Sequence, residues 1–425
     1  MFVLYTKTIL ISHSYLFNIG RILTMQNLTQ NERQLFILKL LANEDIFLSA
    51  QRLAEKFNVS PKTIRQDIRK LSSLGLVSRV HGGIRKREGV NLSFQDIQSA
   101  FAERLDETLF SLHLETMNQN ILTKNKILIF GAFNIDILIK LTEFPKPRDT
   151  ILSKETDYMM GGKGFNQAQA ICANNTAVTY VTKIGRDHFY RYVKNYLSSR
   201  KNMKSIIFES EEFSTGMAVV LVREDGEKEI IVNPGANQKI KKEDIFSISD
   251  EILQAEFISL QMENNLDATI TLMSLAHQLQ RKIVLDPTPF VPEILDFLSM
   301  VYLLIPNISQ AEKITGITIK DDTDAISAVQ MIHKMGVENI VLTLGEKGAI
   351  ASTKERYQRF SSYKAIVVDK SGIGDGFNGA LLSRLVAGDD LFTATDYACA
   401  YASLCIERFG ASSMPNGELV KIRMK

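Results

Sequence analysis

The chain has 425 residues, is 45% hydrophobic and 23% charged, and carries a net charge of +2. That length exceeds one ordinary domain, and the near balance of charge excludes a globally basic nucleic-acid coat, so any basic surface is local. Its three cysteines, Cys172, Cys399 and Cys405, form no CxxC pair and include an odd one, which excludes a disulfide scaffold and points to a reduced cytoplasm.

The first 24 residues are apolar in patches but broken by Lys7, His13, Asn18 and Arg21. They are too interrupted to span a bilayer and offer no clean small-residue cleavage site. The preferred reading of 1–24 is a non-functional extension from an upstream start, with Met25 opening the functional chain; a short disordered extension and a weak signal peptide are the alternatives. From Asn31 the apolar residues Leu35, Ile37, Leu38, Leu40 and Leu41 recur at near-helical spacing. A second helix is predicted over Ser49 to Phe57, capped by Ser49. Ser60 followed by Pro61 is a start signal for a third, whose Ile64, Ile68 and Leu71 form one buried stripe. Gly75 ends it, and "LVSRVHGGIRKR" alternates like a hairpin tipped by Gly82 and Gly83. Residues 88–124 have no strong pattern and read as a linker. From 125 on the grammar changes. "KILIFG", "MAVVLV", "EFISL", "KIVLD", "VYLLIP" and "NIVLTLG" read as strands, several separated by helical segments, which predicts a doubly wound α/β domain over 125–425. The stretches 135–158 and 205–233 alternate like exposed antiparallel strands and suit a small side sheet.

Within Arg52–Arg87 ten Lys/Arg stand against two acids, Glu55 and Asp67, a local excess of eight that leaves the rest of the chain acidic. A basic stripe on a helix-turn-helix pattern suits a phosphate backbone. Lys62, Thr63, Arg65, Gln66 and Arg69 lie off the apolar stripe of the third helix, and Arg and Gln can grip guanine and adenine edges bidentately. On charge alone, a solvated helix beside a hairpin is an equal reading. The string "LAEKFNVSPKTIRQDIRKLSSLGLVSRVHGGI", however, resembles the N-terminal winged helix of DeoR-type bacterial transcription regulators across residues 30–87. The resemblance implies that 25–87 is a domain binding double-stranded operator DNA. Lys62, Thr63, Arg65, Gln66 and Arg69 would lie on its recognition helix, with Arg79 and His81 in the wing. A homodimer reading paired half-sites is the implied assembly.

The segment "SGIGDGFNGA" (371–380) packs glycines around Asp375 ahead of a helical pattern, after a β-like "AIVVD". Glycines at such a turn let backbone N–H groups face one anion at a helix N-terminus. A carboxylate there makes sense if it takes the proton of an attacking hydroxyl; a polar loop residue is the other reading. No GxxxxGK[ST] string occurs. A second cluster, "GGKGFNQA" (161–168), allows close backbone approach at Gly161, Gly162 and Gly164, with Lys163 and Asn166 as polar contacts; an ordinary turn before a helix is the alternative. Asn134 and Asp136 follow a strand end, where ligands bind in open α/β sheets, and equally suit a capped turn.

Residues 126–425 resemble the PfkB/ribokinase family of carbohydrate kinases through "GAFNID", "FPKPRDTI", "GGKGFNQA", "VNPGAN", "LQMENN", "LIPN", "TLGEKG", "DKSGIGDGFNGAL" and "RFGASSMP". The implied fold is a ribokinase-like doubly wound sheet with a small β lid, preceded here by an all-α/winged helix-turn-helix domain. Asp375 then matches the catalytic base, and Gly372, Ile373 and Gly374 the anion hole. Asn134, Asp136, Gly162, Lys163, Asn166 and Glu263 match sugar-binding positions. Asn307 and the run Thr343, Leu344, Gly345, Glu346, Lys347 and Gly348 match the nucleotide site. Asp369, Ser371 and Gly410 match positions around a monovalent cation such as K+. ATP and Mg2+ are the implied cofactors, and a sugar with a primary hydroxyl is the implied substrate. Three positions depart from the pattern: Gln310 replaces a usual glutamate, Ile373 a small residue, and Cys399 an asparagine often near adenine.

The expectation is a cytoplasmic bifunctional protein without a membrane partner, a kinase for ribose or a related pentose coupled to an operator-binding head, so that ligand occupancy of the kinase domain alters DNA affinity. A regulator whose weakened kinase domain only senses sugar or nucleotide is the first alternative. A kinase whose N-terminal module merely aids dimerisation is the second.

Overall fold

The computed structural model describes residues 30, 33–34, 37–38, 41, 48–73, 77–80, 82–86 and 126–425. They fall into two units, Met1–Gln119 and Asn120–Lys425. The expected extension 1–24, the linker 88–124, Leu35, Leu40 and His81 lie outside the described residues.

In the first unit the cap signals work as the sequence suggests. β1 (Leu48–Ser49) leads into α1 (Ala50–Lys56), where the Ser49 side chain accepts from the Arg52 N–H. Ser60 Oγ accepts from Thr63 N at 3.1 Å and Pro61 opens α2 (Pro61–Ser73). A side-chain oxygen satisfies one orphan N–H, and proline gives up an N–H that had no partner. Ile64, Ile68 and Leu71 are buried together with Ile37, Leu38, Leu41 and Phe57. β2 (Val77–Val80) and β3 (Gly83–Lys86) pair antiparallel, with β1 on the far side of β3, so the three strands make the wing. One buried polar feature escapes pattern reading: Asp67, on the inner side of α2, accepts from Arg33 Nε at 2.9 Å and Gln34 Nε2 at 3.2 Å.

The second unit is built on a nine-stranded sheet. Its strands are β4 (Ile127–Phe130), β7 (Val178–Gly185), β8 (Met203–Ser210), β11 (Phe257–Gln261), β12 (Lys282–Asp286), β13 (Leu303–Leu304), β14 (Asn339–Thr343), β15 (Ala349–Thr353) and β16 (Tyr357–Phe360), in the order β16-β15-β14-β13-β12-β11-β4-β7-β8. From β14 to β8 every pair is parallel; β15 and β16 add an antiparallel edge. β4, β7 and β11 are buried at every residue, as strands covered by helices on both faces require. A second sheet, β10-β9-β5-β6, consists of β5 (Asn134–Leu141), β6 (Glu155–Gly161), β9 (Gly216–Arg223) and β10 (Lys228–Asn233). This is the expected small sheet, with two changes: β5 and β9 run parallel, and 203–210 belongs to the edge of the large sheet.

Two further expectations are corrected. "VYLLIP" supplies only the two residues of β13. "AIVVD" (365–369) is not a strand before the glycine loop: Ile366, Val367 and Val368 are 77%, 58% and 55% exposed, and the N–H groups of Val368 and Asp369 both go to the Ile406 carbonyl. Those two N–H groups are spent on a carbonyl just past the helix Leu391–Cys405, and the run pairs with no strand of the nine-stranded sheet. Three helices frame the site: α3 (Lys163–Ala173), α4 (Ile373–Val386) and α5 (Leu391–Cys405), with α4 packed against the other two.

Candidate functional site

The C-terminal ends of β4, β11, β12, β13 and β14 converge on one crevice, the place where open α/β sheets bind ligands. Glycine brings α3 into it. A Cβ on Gly164 would lie 2.4 Å from the Gly131 Cα, so the start of α3 touches the chain leaving β4 backbone to backbone. That contact carries Lys163, Asn166 and Gln167 to the sheet ends.

α4 enters from the opposite side. Gly372 caps it at φ +71°, and a Cβ there would meet the Ala411 carbonyl at 2.3 Å, so only glycine fits. Ile373, Gly374 and Asp375 are its first three residues, and their N–H groups have no partner within the helix. The position of Gly374 faces open space. Asp375 is buried, and its carboxylate accepts from Asn166 Nδ2 at 2.9 Å and from Gln167 Nε2 at 3.4 Å. The same Gln167 Nε2 donates to Asp286 Oδ2 at 3.1 Å, where Asn378 Nδ2 also donates at 3.0 Å. Gln167 Oε1 accepts from Gln261 Nε2 at 2.7 Å and Ser259 Oγ at 3.2 Å, which fixes the orientation of its amide. Asn166 Oδ1 is buried with no hydrogen-bond partner.

The remaining expected sugar residues gather here too. Asn134 and Asp136 open β5, Gly162 caps α3 at φ +94°, and the Lys163 N–H donates to Glu263 Oε2 at 2.9 Å. Asn134 Oδ1 is already held by Asn237 Nδ2 at 3.0 Å. So many carboxylates together shift one another. Burial above all, with Glu263 and Asp375 adding charge, pushes Asp136 up to about 7. Burial raises Glu263 to about 7 and Asp286 to about 6, each partly offset by Lys163. The Asp375 carboxylate, joined by Asp286 and Glu263, overrides burial and raises Lys163, which stays charged.

A carboxyl raised on folding binds more protons folded than unfolded. The stabilising contribution of Asp136 is therefore complete below about pH 4 and lost as the pH climbs through 7. Asp136→Asn keeps the shape without the charge. It is expected to raise the melting temperature by several degrees near pH 8 and far less near pH 5, which thermal melts at the two pH values check.

The expected nucleotide residues lie at the C-terminal ends of β13 and β14. Asn307 follows β13 and pairs with Thr343 of β14 through an isolated parallel bridge. Gly345, Glu346 and Lys347 form an exposed turn between Leu344 and Gly348. Asn307 caps the helix Ile308–Thr315 in a reciprocal box with Gln310. Gln310 Nε2 also donates to Thr288 Oγ1 at 2.6 Å, and Thr288 donates in turn to Asp286 Oδ1 at 2.5 Å. A continuous chain of hydrogen bonds thus joins Asp375 to Asn307. Glu312 faces elsewhere, accepting from the Ile319 N–H. Cys399 is buried on α5.

Asp369, Ser371 and Gly410 also come together. Asp369 accepts from the Ser371 N–H at 2.9 Å and the Gly410 N–H at 3.0 Å, but a fourth group is present: Lys228 Nζ lies 2.5 Å from Asp369 Oδ1 and 2.7 Å from Ser371 Oγ. Burial opposes the charge on Asp369, yet the bonds from Lys228, Ser371 and Gly410 hold it below the usual carboxylate range.

Sequence reasoning missed Gln167, Asp286, Thr288 and Lys228. Asp286 ends a predicted strand on the ligand side of the sheet, a signal that was available; Gln167 sat unremarked inside a quoted motif. Lys228 carries no local signal.

In the first unit, Lys62, Arg65, Gln66 and Arg69 are exposed along α2, Thr63 is half-buried at its start, and Arg79 is exposed on β2. Arg69 Nε donates to the Arg65 carbonyl, and Thr63 shares a hydrogen bond with Ser60.

Comparison with known proteins agrees in both units. The family model for pfkB family carbohydrate kinases matches residues 124–417, and that for the DeoR-like helix-turn-helix domain matches 33–88. The chain is 30% identical over 291 residues to a ribokinase of Staphylococcus aureus, covering 68% of this chain and 96% of that one. It is 26% identical over 288 residues to a deoxyribokinase of Salmonella typhimurium, covering 68% and 94%. Among solved structures, the Arabidopsis thaliana ribokinase complexed with ribose and ATP superposes with a TM-score of 0.63 at 27% identity, over 71% of this chain and 99% of that one.

Proposed function

We propose, from the premise that the chain belongs to the pfkB family of carbohydrate kinases, that it phosphorylates ribose or a related pentose and binds operator DNA through its DeoR-like domain. The observation that carries the kinase half is the Asp375 carboxylate, fixed by Asn166 and Gln167 at the first turn of α4, in one pocket with Lys163 and Asp136. There the carboxylate takes the proton of the sugar's primary hydroxyl as that oxygen attacks the γ-phosphorus of ATP and ADP departs. The N–H groups of Gly372, Ile373 and Gly374 hold the charge of the transferring group, at the positive end of a 14-residue helix. Asn134, Asp136, Asn166 and Glu263 orient the sugar, and Asn307 with Thr343–Gly348 seats the nucleotide. Relatives named ribokinase and deoxyribokinase support a pentose.

Among the described residues no group of three or more His, Cys, Asp or Glu forms a metal cage. That suits Mg2+, which is held largely by phosphate and water. Gln310 and Asp286 are the side chains that would meet its water shell, and when bound with ATP it neutralises phosphate charge. A monovalent cation fits less well, because Lys228 already stands among its expected residues.

Among the described residues no helix is long and apolar enough to cross a membrane, and we place the protein in the cytoplasm with DNA. The assembly we propose is a homodimer, supported by the exposed run Ile230–Val232 on the edge strand β10. Gln310 favours a second reading, a sensor of sugar or nucleotide, since its uncharged amide is committed to Asn307 and Thr288. ADP release measured against a panel of pentoses and hexoses separates the two: turnover of ribose or a close relative supports the kinase, and inertness with every sugar, despite binding, the sensor.

For the DNA half, Arg65→Ala with Arg69→Ala is expected to weaken binding to DNA upstream of the protein's own gene. It should also flatten the slope of log affinity against log salt by about 2. A slope equal to that of the wild type would show that neither arginine meets a phosphate.

A further inference from the structure

Lys228 opens β10 in the small sheet, 141 residues before Asp369 in the chain. Its ammonium touches Asp369 Oδ1 and Ser371 Oγ, while the Ser371 and Gly410 N–H groups complete the hydrogen bonds of the same carboxylate. The Asp369 side chain is 2% exposed and that of Lys228 22%, so this is not a solvated surface pair of small consequence. These are also the three residues among which a monovalent cation is expected. An ammonium and a potassium ion carry one charge, are of similar size and prefer oxygen neighbours. Two such charges held side by side against one carboxylate repel, and one excludes the other.

We infer that the Lys228 ammonium is the built-in cation of this site: a positioning residue that frees the enzyme from potassium and pins the small sheet to the loop leading into the anion hole. Asp369 lies three residues before Gly372, the cap of α4, so whatever neutralises Asp369 also sets where the N–H groups of Gly372 to Gly374 point. A free ion occupies such a site only in proportion to its concentration. A side chain on the same protein is present at a fixed, high effective concentration whatever the salt. Seating the lysine also requires that β10 stay against the loop, so the small sheet and the anion hole are organised together.

The activity half of the test rests on the kinase reading, whereas the melting half does not. The full chain and its Lys228→Met variant are compared in KCl and in choline chloride at equal ionic strength. The wild type is expected to melt at the same temperature and to turn over at the same rate in both salts. Lys228→Met in choline is expected to melt several degrees lower and turn over about 10- to 100-fold more slowly, with KCl restoring much of both losses. The inference is overturned if KCl raises the melting temperature or the turnover of the wild type, since the ion then has a seat of its own. It is equally overturned if Lys228→Met in choline matches the wild type. Should the variant fail to fold, the response of the wild type to KCl decides alone. A chain inert toward every sugar whose melting ignores KCl in the wild type and needs it in the variant refutes the kinase reading and leaves the inference standing.

Discussion

Asp375→Asn is expected to lower phosphoryl transfer by about a thousandfold or more while leaving sugar affinity within a few-fold. The amide keeps the size of the side chain but cannot take up a proton at neutral pH. Asn166 and Gln167 both point N–H donors at this carboxylate, and an amide can accept with only one of its two atoms. One contact therefore turns repulsive, at a cost of about 1–3 kcal/mol in stability. The loss of charge also removes the main cause raising Lys163, and a secondary cause raising Asp136, Glu263 and Asp286. Coupled measurement of ADP release, with calorimetric titration of sugar, separates chemistry from binding. A variant with more than about a tenth of the wild-type turnover would remove Asp375 from the role of base.

Gly164→Ala is expected to cost about 3 kcal/mol or more, roughly a 5 °C fall in melting temperature or more for a domain of this size. The added Cβ would sit 2.4 Å from the Gly131 Cα and 2.7 Å from its carbonyl carbon, and a Cβ on Gly131 would in turn meet the Gly164 Cα at 2.5 Å. Both obstacles are backbone, so no side-chain rotation relieves them. β4 is a buried inner strand and cannot retreat, which leaves α3 to move. Lys163 and Asn166 move with it, so sugar affinity falls along with stability. Differential scanning calorimetry checks the first effect. A melting temperature close to that of the wild type would mean that the two backbones do not meet as described.

The local grammar was legible wherever a single stretch of chain decides the outcome. Ser60 and Pro61 announce α2, "KILIFG" announces β4, and the glycines of 161–164 and 372–376 announce the two helix starts that face each other across the crevice. The reading failed where composition was the only guide. "AIVVD" has the residues of a strand, but pairing is decided by distant residues, and here the N–H groups of Val368 and Asp369 go to the Ile406 carbonyl. It was blind to polar pairs far apart in sequence: Arg33 with Asp67, Gln167 with Asp286, and Lys228 with Asp369 are separated by 34, 119 and 141 residues. No spacing rule encodes such partners. The parallel pairing of β5 with β9 was hidden for the same reason, since alternation shows which face is buried but not which way a neighbour runs.

The hydroxyl of Thr288 has one hydrogen to give, and in this chain it goes to Asp286, because the Gln310 amide supplies its own hydrogen from the other side. Were a glutamate to stand at 310, as is usual in the family, two carboxylates would compete for that hydrogen and one would face an oxygen lone pair. The unusual glutamine is thus matched to its acidic neighbour at 286. A glutamate introduced at 310 alone would therefore weaken the chain of hydrogen bonds that runs from Asn307 to Asp375.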